Sequence, residues 1–258
     1  MNPRIIIPTG LGINSEEELG YVFSQAGARV DYRHVNELIE RPELLDEYAG
    51  AGLPGGFSMG DQLGAGQSLA NRIRHSGLRD KLAEKLDDPD FPIYAVCNFL
   101  QVLAKLDLLP CCIGTTRNDS GKHETGFWDC AVERQNDSVW LSYLRDHPGP
   151  IFAPISHGEG RIITDTDDID GLVALRYHNG YIRDFFHSSD SRYNPNGSTG
   201  DIAGIGWANN LVLFPHFERL HHDFQRPDRA TVKRYKGTTH MPYVPTRLLF
   251  QAAVEAMR

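Results

Sequence analysis

Apolar and polar positions change period repeatedly along the first half of the chain, and each change predicts a strand followed by a helix. Short apolar runs indicate strands, and apolar residues spaced three and four apart indicate helices. The runs that predict strands are Arg4–Ile7, Ala28–Tyr32, 49–53 and Ile93–Val96. The stretches with helical spacing are 15–25, Leu69–Leu86 and Asn98–Leu106. Strands that alternate with helices favour a mostly parallel sheet with helices on both faces.

The second half of the chain is richer in strand patterns and poorer in helical ones. Its strand candidates are Cys130–Glu133, Ser138–Tyr143, Ile151–Ile155, Leu172–Tyr177 and Leu211–Phe214. Antiparallel strands at one edge of the sheet would accommodate them. Two polar stretches that contain proline, about 185–200 and 221–245, predict long surface loops, and Thr246–Met257 predicts a closing amphipathic helix. The sequence shows neither a repeat nor a linker, so one domain is expected over residues 1–258.

Composition narrows the class of protein. The 258 residues are 40% hydrophobic and 23% charged, which is ordinary for a globular protein, and the formal charge is −8. A net negative charge argues against nucleic acid or an anionic membrane as the main partner. No apolar run approaches the roughly 18–20 residues that a membrane span requires. The N-terminus lacks the plan of a signal peptide, so a cytoplasmic location is expected.

The junction between the run Ile93–Val96 and the following helix carries a cysteine, Cys97. A strand that ends in a nucleophile at the start of a helix is typical of an elbow, which exposes the nucleophile at the carboxyl edge of the sheet. The unpaired N–H groups of the helix start would favour the thiolate. The next amide, on Asn98, would point to where an oxyanion forms. The alternative is a structural core cysteine, since free cysteines are commonly buried.

Two other motifs compete with this cysteine. Residues 56–60 match the serine-elbow pattern G-x-S-x-G around Ser58, but the preceding Pro-Gly-Gly ends the strand too early, so a glycine-rich loop that donates N–H groups is expected instead. Gly10 and Gly12 follow the first strand, and Asp31 ends the next, as in a dinucleotide fingerprint. The third glycine of that fingerprint is missing, so a loop turn is favoured.

A thiol nucleophile needs a base, and the chain offers one at Pro215-His216-Phe217-Glu218. In an extended segment residues i and i+2 share a face, so the Glu218 carboxylate can orient the His216 imidazole. The order Cys97, His216, Glu218 then gives a catalytic triad. The alternative is that His216 and Glu218 are solvated residues at a strand end without a catalytic role. A metal site that includes His221 and His222 is also open, although the spacing matches no metal-ligand pattern.

With these residues in place, the chain resembles a known family, the class I (triad) glutamine amidotransferases, and within them the glutaminase component of phosphoribosylformylglycinamidine synthase. Five stretches in the family's order, over about residues 5–219, carry the likeness. They are P-G-G-F-S-M-G-D (54–61), C-N-F-L-Q (97–101), P-I-S-H-G-E-G-R (154–161), N-P-N-G-S (194–198) with I-A-G-I (202–205), and P-H-F-E-R (215–219). The elbow departs from the family at Ala95 and Phe99, where glycines are usual, and bulky Phe99 is expected to reshape the pocket.

The resemblance implies a flavodoxin-like α/β fold and assigns roles to residues. Cys97 would be the nucleophile, His216 the base and acid, and Glu218 its orienter. The N–H groups of Gly56 and Asn98 would form the oxyanion hole. A last group would line the glutamine pocket or face the partner: Gln101, His157, Gly158, Glu159 and Arg161.

The resemblance also implies a reaction and a partner. L-Glutamine would be hydrolysed through a Cys97 thioester, and the ammonia would pass to a synthetase subunit that works in purine biosynthesis. This chain would carry no cofactor and no metal, because ATP and Mg²⁺ would bind the synthetase. Two alternatives stay open: a cysteine hydrolase that acts alone, and a non-catalytic subunit that keeps the fold. Asn98 stands where peptidase-like relatives typically have histidine, which counts against the first.

Overall fold

The computed structural model describes residues 2–110, 113–146, 150–166, 169, 171–178, 193–222, 225 and 246–258. The strands are β1 Arg4–Thr9, β2 Arg29–His34, β3 Gly50–Leu53, β4 Ile93–Val96, β5 Ile113–Thr116, β6 Glu124–Val132, β7 Ile151–His157, β8 Arg161–Thr164, β9 Val173–Tyr177, β10 Ile202–Trp207 and β11 Asn210–Leu213. The helices are α1 Glu16–Gln25, α2 Val35–Glu40, α3 Gln67–Arg74, α4 Leu78–Asp87, α5 Asn98–Lys105 and α6 Arg247–Ala256. Short 3₁₀ turns occur at Pro42–Glu47, Ser58–Asp61, Val139–Leu141, Thr199–Asp201 and Phe217–Arg219.

The central sheet has nine strands in the order β2-β1-β3-β4-β11-β10-β9-β6-β7. The first five are parallel to their neighbours, whereas every pairing from β11 to β7 is antiparallel. Strands β5 and β8 form a separate antiparallel pair. The predicted α/β class, with a parallel sheet and antiparallel strands at one edge, is therefore confirmed.

The parallel strands are apolar because they are buried on both faces, as such strands usually are. All four residues of β4 and all four of β11 are buried. Helix α1 packs against α6, and α3 packs against α5. Aromatic rings of Phe23, Trp140 and Phe250 meet at 5.2–6.0 Å between centroids and fill the space beneath α1 and α6. The carboxyl ends of β4 and β11 are thus held side by side by a rigid interior.

Two predicted elements are wrong. Leu69–Leu86 is two helices, since α3 ends at Arg74 and α4 begins at Leu78. The break falls where Ser76 and Gly77 interrupt the helical pattern, and the Ser76 hydroxyl bonds the carbonyl of Ile73. The stretch Ser138–Tyr143 contains a 3₁₀ turn instead of a strand. The adjacent residues Trp140 and Leu141 are both buried in it, whereas successive residues of a strand point to opposite faces.

The bounds of other predicted elements agree with the structure in part, and some predicted loops lie outside the described residues. The strand at Ile93–Val96 has its predicted bounds, and the helix that follows ends one residue earlier than predicted. The strand predicted from Cys130 begins six residues earlier, at Glu124, while β5, β8 and β10 were not predicted. Most of the loops predicted at 185–200 and 221–245 lies outside the described residues. No described helix combines the length and apolar character that crossing a bilayer demands.

Candidate active site

Cys97 occupies the turn between β4 and α5 with φ 53° and ψ −106°, a backbone conformation that residues with side chains rarely adopt. Its amide donates to the carbonyl of Leu213 on neighbouring β11, at 2.8 Å. The sulfur lies 3.7 Å from the carbonyl oxygen of Ser156. Only 6% of the residue is exposed. The predicted elbow is therefore present, and it is fixed to the strand beside it.

His216 reaches the cysteine because β4 and β11 are adjacent and parallel. Val96 pairs with Leu213 in the register of these strands, so the residues that follow each strand emerge at the same edge. The amide of His216 donates to the carbonyl of Pro154 at 2.8 Å, which anchors the turn. His216 is 3% exposed, and its imidazole lies beside the side chain of Cys97 in the same cleft.

Glu218 completes the cluster from a 3₁₀ turn, Phe217–Arg219. Its Oε1 lies 2.5 Å from His216 Nδ1, and its Oε2 accepts a hydrogen bond of 3.1 Å from the phenol of Tyr94. The carboxylate has no solvent exposure. Sequence reasoning missed Tyr94, although a phenol within a buried strand needs a partner and could have raised the question.

The electrostatics of His216 favour the protonated imidazole. Burial lowers its pKa, but the adjoining Glu218 carboxylate and the Cys97 sulfur outweigh burial and raise the pKa to about 10. Burial raises the pKa of Tyr94 well above its ordinary value, and the charge of Glu218 adds to the effect. Tyr94 therefore remains a hydrogen-bond donor. The arrangement places an imidazolium beside the Cys97 sulfur.

Gly56 lines the same cleft as Cys97, and Asn98 follows Cys97 in the chain. Asn98 is the first residue of α5, where helical N–H groups have no intrahelical acceptor. Gly56, at φ 155°, lies in a loop paired with Gly12, whose carbonyl accepts from the amide of Phe57 at 2.8 Å. A Cβ on Gly56 would come within 2.5 Å of the Gly12 oxygen, so a side chain has no room there. Within the described chain neither amide donates to another group.

The Asn98 side chain ties this loop to the helix. Its Oδ1 accepts from the amide of Ser58 at 3.1 Å, and its Nδ2 donates to Asp61 Oδ1 and Gln101 Oε1 at 3.2 and 3.0 Å. One amide side chain therefore fixes both sides of the predicted oxyanion hole. The contact also gives Ser58 a structural place, because its buried hydroxyl stands apart from the His216–Glu218 pair.

A first cavity, of about 310 Å³, opens on one side of Cys97, and we call it the acidic cavity. It is lined by Gly56, Phe57, Gly60, Asp61, Ala65, Cys97, Gln101, His123, Ser156, His157, Gly158 and Glu159. Its charged groups are the carboxylates of Asp61 and Glu159. Burial raises the pKa of Asp61, and the charge of Glu159 acts in the same direction. Among the described residues no lysine or arginine lines this cavity.

A second cavity, of about 320 Å³, adjoins the first at Cys97, and we call it the basic cavity. It is lined by Asn14, Gly56, Phe57, Cys97, Ser156, His216 and Arg219. Arg219 lies 3.6 Å from Glu18, which neutralises part of its charge. The two cavities share Gly56, Phe57, Cys97 and Ser156 and so form adjoining parts of one cleft, with His216 in the part that holds Arg219.

The wall formed by residues 157–160 depends on Asn118, which was not singled out as a site residue. Its Nδ2 donates to the carbonyls of His157 and Lys122, both at 2.8 Å, and its Oδ1 accepts from the amide of Gly160 at 2.9 Å. His157 Nδ1 lies 3.2 Å from the same oxygen. Asn196 supports the wall from outside by donating to the carbonyl of Gly160 at 2.6 Å.

His157 is neutral in this setting. Burial lowers its pKa to about 3, and the positive charge of nearby His216 contributes. The ring packs against Phe214, with 5.2 Å between centroids. Because Asn118 Oδ1 acts as an acceptor, Nδ1 of His157 carries the proton, and its buried Nε2 has no partner among the described residues.

The remaining candidates are placed as follows. Gln101 lines the acidic cavity and donates to the carbonyl of Glu159 at 2.9 Å. Arg161 lines neither cavity, since its Nε donates to the carbonyl of Gly197 at 2.8 Å. Phe99, expected to reshape the pocket, is 3% exposed and packs in the core instead.

The residues of the dinucleotide pattern and of the possible histidine metal site make other contacts in the structure. Asp31, the acidic residue of the dinucleotide pattern, pairs with Arg4 at 2.5 Å. The space that a side chain on Gly10 would need is filled by the His34 ring. His221 contacts the carbonyl of Glu218, and His222 bonds the phenol of Tyr21. In the part of the chain that is described, no three metal-binding side chains gather into a site.

Fold and site together define an α/β protein with a cysteine, a histidine and a glutamate at the carboxyl edge of its sheet. Residues 2–255 match the CobB/CobQ-like glutamine amidotransferase domain family. Phosphoribosylformylglycinamidine synthase subunit PurQ of Dehalococcoides mccartyi is 33% identical over 227 residues, which cover 84% of this chain and 85% of that protein. The chain therefore belongs to the glutamine amidotransferase family.

Two further similarities bear on the architecture. Phosphoribosylformylglycinamidine synthase of Saccharomyces cerevisiae is 31% identical over 240 residues, which are 84% of this chain and 17% of that protein. The solved structure of PurLQS from Thermotoga maritima contains a chain that is 24% identical, with a TM-score of 0.73 and complete coverage of both chains. At that identity the structural match shows a shared fold.

Proposed function

We propose that this chain is the glutaminase subunit of a phosphoribosylformylglycinamidine synthase. It hydrolyses L-glutamine and delivers ammonia to a synthetase subunit. The observation that carries the proposal is the contact of His216 with both Cys97 and Glu218 beside two free amides. The PurQ relatives supply the particular assignment, and their role in purine biosynthesis favours the cytoplasm.

Charge favours one orientation of glutamine in the site. The substrate carries an α-ammonium and an α-carboxylate group at one end and a neutral amide at the other. The carboxylates of Asp61 and Glu159 would attract the ammonium group within the acidic cavity, while the amide reaches Cys97. Gln101 supports this wall through its bond to the Glu159 carbonyl.

The first half-reaction forms a thioester. The Cys97 thiolate attacks the side-chain carbonyl carbon of glutamine, and the carbonyl electrons move onto oxygen. The N–H groups of Gly56 and Asn98 bind this oxyanion. As the C–N bond breaks, protonated His216 gives its proton to the leaving nitrogen, so ammonia departs as a neutral molecule.

The second half-reaction restores the enzyme. Neutral His216 takes a proton from water, whose oxygen attacks the thioester carbon. The C–S bond breaks, glutamate leaves with loss of a proton to solvent, and the thiolate–imidazolium pair is regenerated. Glu218 keeps Nδ1 of His216 protonated throughout, which presents Nε2 to the reacting atoms.

The partner follows from the fate of the product. Ammonia released into water would be protonated and lost, so a synthetase must receive it directly. ATP and Mg²⁺ would bind that subunit. The yeast relative, of which this chain matches only 17%, fits an amidotransferase portion joined to a larger synthase.

A labelling and turnover experiment tests the proposal. The purified chain is treated with a diazoketone analogue of glutamine, and the modified residue is located by mass spectrometry. Glutamate release is then measured with and without the cognate synthetase. We expect modification at Cys97, its loss in C97A, and stimulation of glutamate release by the synthetase.

Each alternative has its own outcome. Cleavage of peptides or other amides at a rate that the synthetase does not change would favour a hydrolase that acts alone. Absence of labelling and of glutamate release under both conditions would identify a non-catalytic subunit. Either result contradicts the proposal.

A further inference from the structure

We infer that His123 binds the α-carboxylate of glutamine and thereby makes the site selective for an α-amino acid over a simple amide. This role rests on the proposed function, to which it adds a specificity-determining residue besides the triad and the oxyanion hole. It follows from the charges of the acidic cavity and from the position of the His123 imidazole at its wall.

Free glutamine brings two opposite charges to the acidic cavity, both attached to one carbon atom. The carboxylates of Asp61 and Glu159 line this cavity and match the ammonium group. The same two carboxylates repel the α-carboxylate of the substrate, which is bonded to the carbon that carries the ammonium group. An α-carboxylate without a donor would oppose binding, so the cavity needs a group that donates to it.

His123 is the side chain of this cavity that can meet the need. No lysine or arginine lines the cavity among the described residues, and the amide nitrogen of Gln101 already donates to the carbonyl of Glu159. Burial lowers the pKa of His157 to about 3, so that ring stays neutral. An imidazole can carry a positive charge near neutral pH, and in that form both of its nitrogens donate.

The position of His123 follows from the pairing of β6 with β7. Glu124 pairs with His157 in this antiparallel ladder, so His123, one residue before β6, lies opposite Gly158. Its Nε2 lies 2.9 Å from the hydroxyl oxygen of Ser156. A Cβ on Gly158 would lie 3.8 Å from Nδ1 of His123 and would meet no other atom within 4 Å. Because Gly158 has no side chain, space remains beside Nδ1.

Nδ1 of His123 is available to a ligand, and it lies near the nucleophile. In the described part of the chain this nitrogen has no hydrogen-bond partner, and the residue is exposed. Ser156, whose hydroxyl fixes the ring, has its carbonyl oxygen 3.7 Å from the Cys97 sulfur. One residue therefore links the imidazole to the sulfur. The glutamine side chain is similarly short, with two methylene groups between its amide carbon and Cα.

The three polar groups of the substrate then have separate places in one cavity. The side-chain amide lies at Cys97, and the ammonium group lies at Asp61 and Glu159. A Cβ on Gly64 would lie 3.8 Å from Glu159 Oε1, which places that carboxylate beside the loop that also carries Asp61. The α-carboxylate lies at His123, which precedes β6. A simple amide fills only the first of these places.

Two substitutions separate recognition of the carboxylate from support of Ser156. In His123→Gln the side-chain amide can keep the contact with the Ser156 hydroxyl, while the positive charge and Nδ1 are lost. In His123→Ala the contact with Ser156 is lost as well. His75→Ala is the matched control, because His75 is exposed and does not line the cavity. Thermal unfolding of each variant shows that it is folded.

Glutamate release by the complete synthase gives KM and kcat for L-glutamine. γ-Aminobutyramide, which is glutamine without its α-carboxylate, is measured as a competitive inhibitor. For H123Q we expect KM to rise about tenfold, with kcat and the inhibition constant of γ-aminobutyramide each within about twofold of the wild type. H123A should raise KM at least as much, and H75A should match the wild type in all three constants.

Two results would overturn the assignment. A wild-type KM in H123Q would show that His123 does no more than support Ser156. An equal loss of affinity for L-glutamine and for γ-aminobutyramide would show that the ring shapes the cavity without binding the carboxylate. A wild-type chain that releases no glutamate and is not labelled at Cys97 would instead defeat the proposed function. Failure of the His123 assignment alone is thus recognised by normal turnover and labelling of the wild type.

Discussion

The phenol of Tyr94 donates a 3.1 Å hydrogen bond to Oε2 of Glu218, between residues 124 apart in sequence. Both side chains are fully buried. Strand β4 is therefore followed directly by Cys97 and also carries, three residues earlier, the phenol that holds the Glu218 carboxylate beside His216.

Replacing Tyr94 by phenylalanine should slow turnover without impairing glutamine binding. The change removes one oxygen and leaves a buried carboxylate oxygen without a donor, which costs about 1.5–3 kcal/mol. We expect kcat to fall about tenfold with little change in KM, and the pH profile of kcat to shift. Steady-state kinetics across pH checks this.

Tyr48→Phe is the matched control for that variant. Tyr48 is buried, and its hydroxyl accepts one hydrogen bond of 3.2 Å from Arg33, away from the site. The Tyr48→Phe variant should lose stability without a shift in the pH profile of kcat. A Y94F profile that coincides with that of Y48F would show that Tyr94 serves only the stability of the core.

Gly55→Ala should nearly abolish activity because a Cβ at this position intrudes between the reacting groups. It would lie 2.8 Å from His216 Cε1 and 3.3 Å from Cys97 Cβ. Contacts this close force the imidazole away from the sulfur, and we expect kcat to fall about a hundredfold. Turnover and the rate of Cys97 alkylation measure the effect.

The control for crowding is Gly77→Ala. Its Cβ would meet no atom closer than 3.5 Å, and Gly77 has a φ of −63°, which alanine adopts readily. This variant should keep wild-type activity and gain stability of about 0.5 kcal/mol from the reduced freedom of the unfolded chain. Full activity of G55A would contradict the packing described around His216.

His157 should make the protein sensitive to acid. Its folded pKa is lowered to about 3, below the ordinary value of 6.5, so below pH 6.5 the unfolded chain binds a proton that the folded chain refuses. Stability therefore falls as pH drops from about 6.5 to 3, by roughly 1.4 kcal/mol per pH unit from this group. His216 is protonated in both states over pH 4–5.5 and contributes no slope there.

Denaturant unfolding of His157→Asn between pH 4 and 5.5 measures that contribution. The asparagine amide can still donate to Asn118, so the folded state is kept while the titrating group is lost. We expect a shallower decline than in the wild type, although stability at neutral pH falls. Exposed His75, changed to asparagine, should leave the slope as it is, and equal slopes in H157N and the wild type would refute the assignment.

Cys97→Gly should be more stable than Cys97→Ala, although neither reacts. The φ of 53° with ψ of −106° is strained for alanine and open to glycine. We expect a difference of about 1 kcal/mol in the free energy of unfolding in favour of glycine. If alanine proved the more stable, the elbow would not store strain in the backbone.

The sequence was most informative where burial on both faces left an uninterrupted apolar run. Strand β4 and the helix start at Asn98 were predicted on this basis, and β11 within one residue, so the edge of the sheet that carries Cys97 and His216 could be located. The strand-end cysteine and the spacing of His216 and Glu218 predicted the triad, and the resemblance to a known family added Gln101, His157, Gly158 and Glu159 of the acidic cavity.

Groups placed by distant contacts could not be predicted in the same way. Strand β10 contains Gly204 and Gly206, which dilute its apolar pattern; a Cβ on Gly204 would lie 2.7 Å from that of Leu213. Asn118 gives no local signal, because its side chain contacts Lys122 in its own turn and His157 and Gly160 on a distant segment. Asp61 reaches its cavity only through a loop with positive φ.

The position of β11 bears on how the active protein comes into being. It is the last strand of the described chain, yet it lies in the middle of the sheet, between β4 and β10. During synthesis the sulfur is made about 120 residues before its imidazole. Until β11 inserts between β4 and β10, the two halves of the sheet are not joined and the Cys97 thiol lacks the His216 imidazole. Completion of the sheet and assembly of the site therefore occur together.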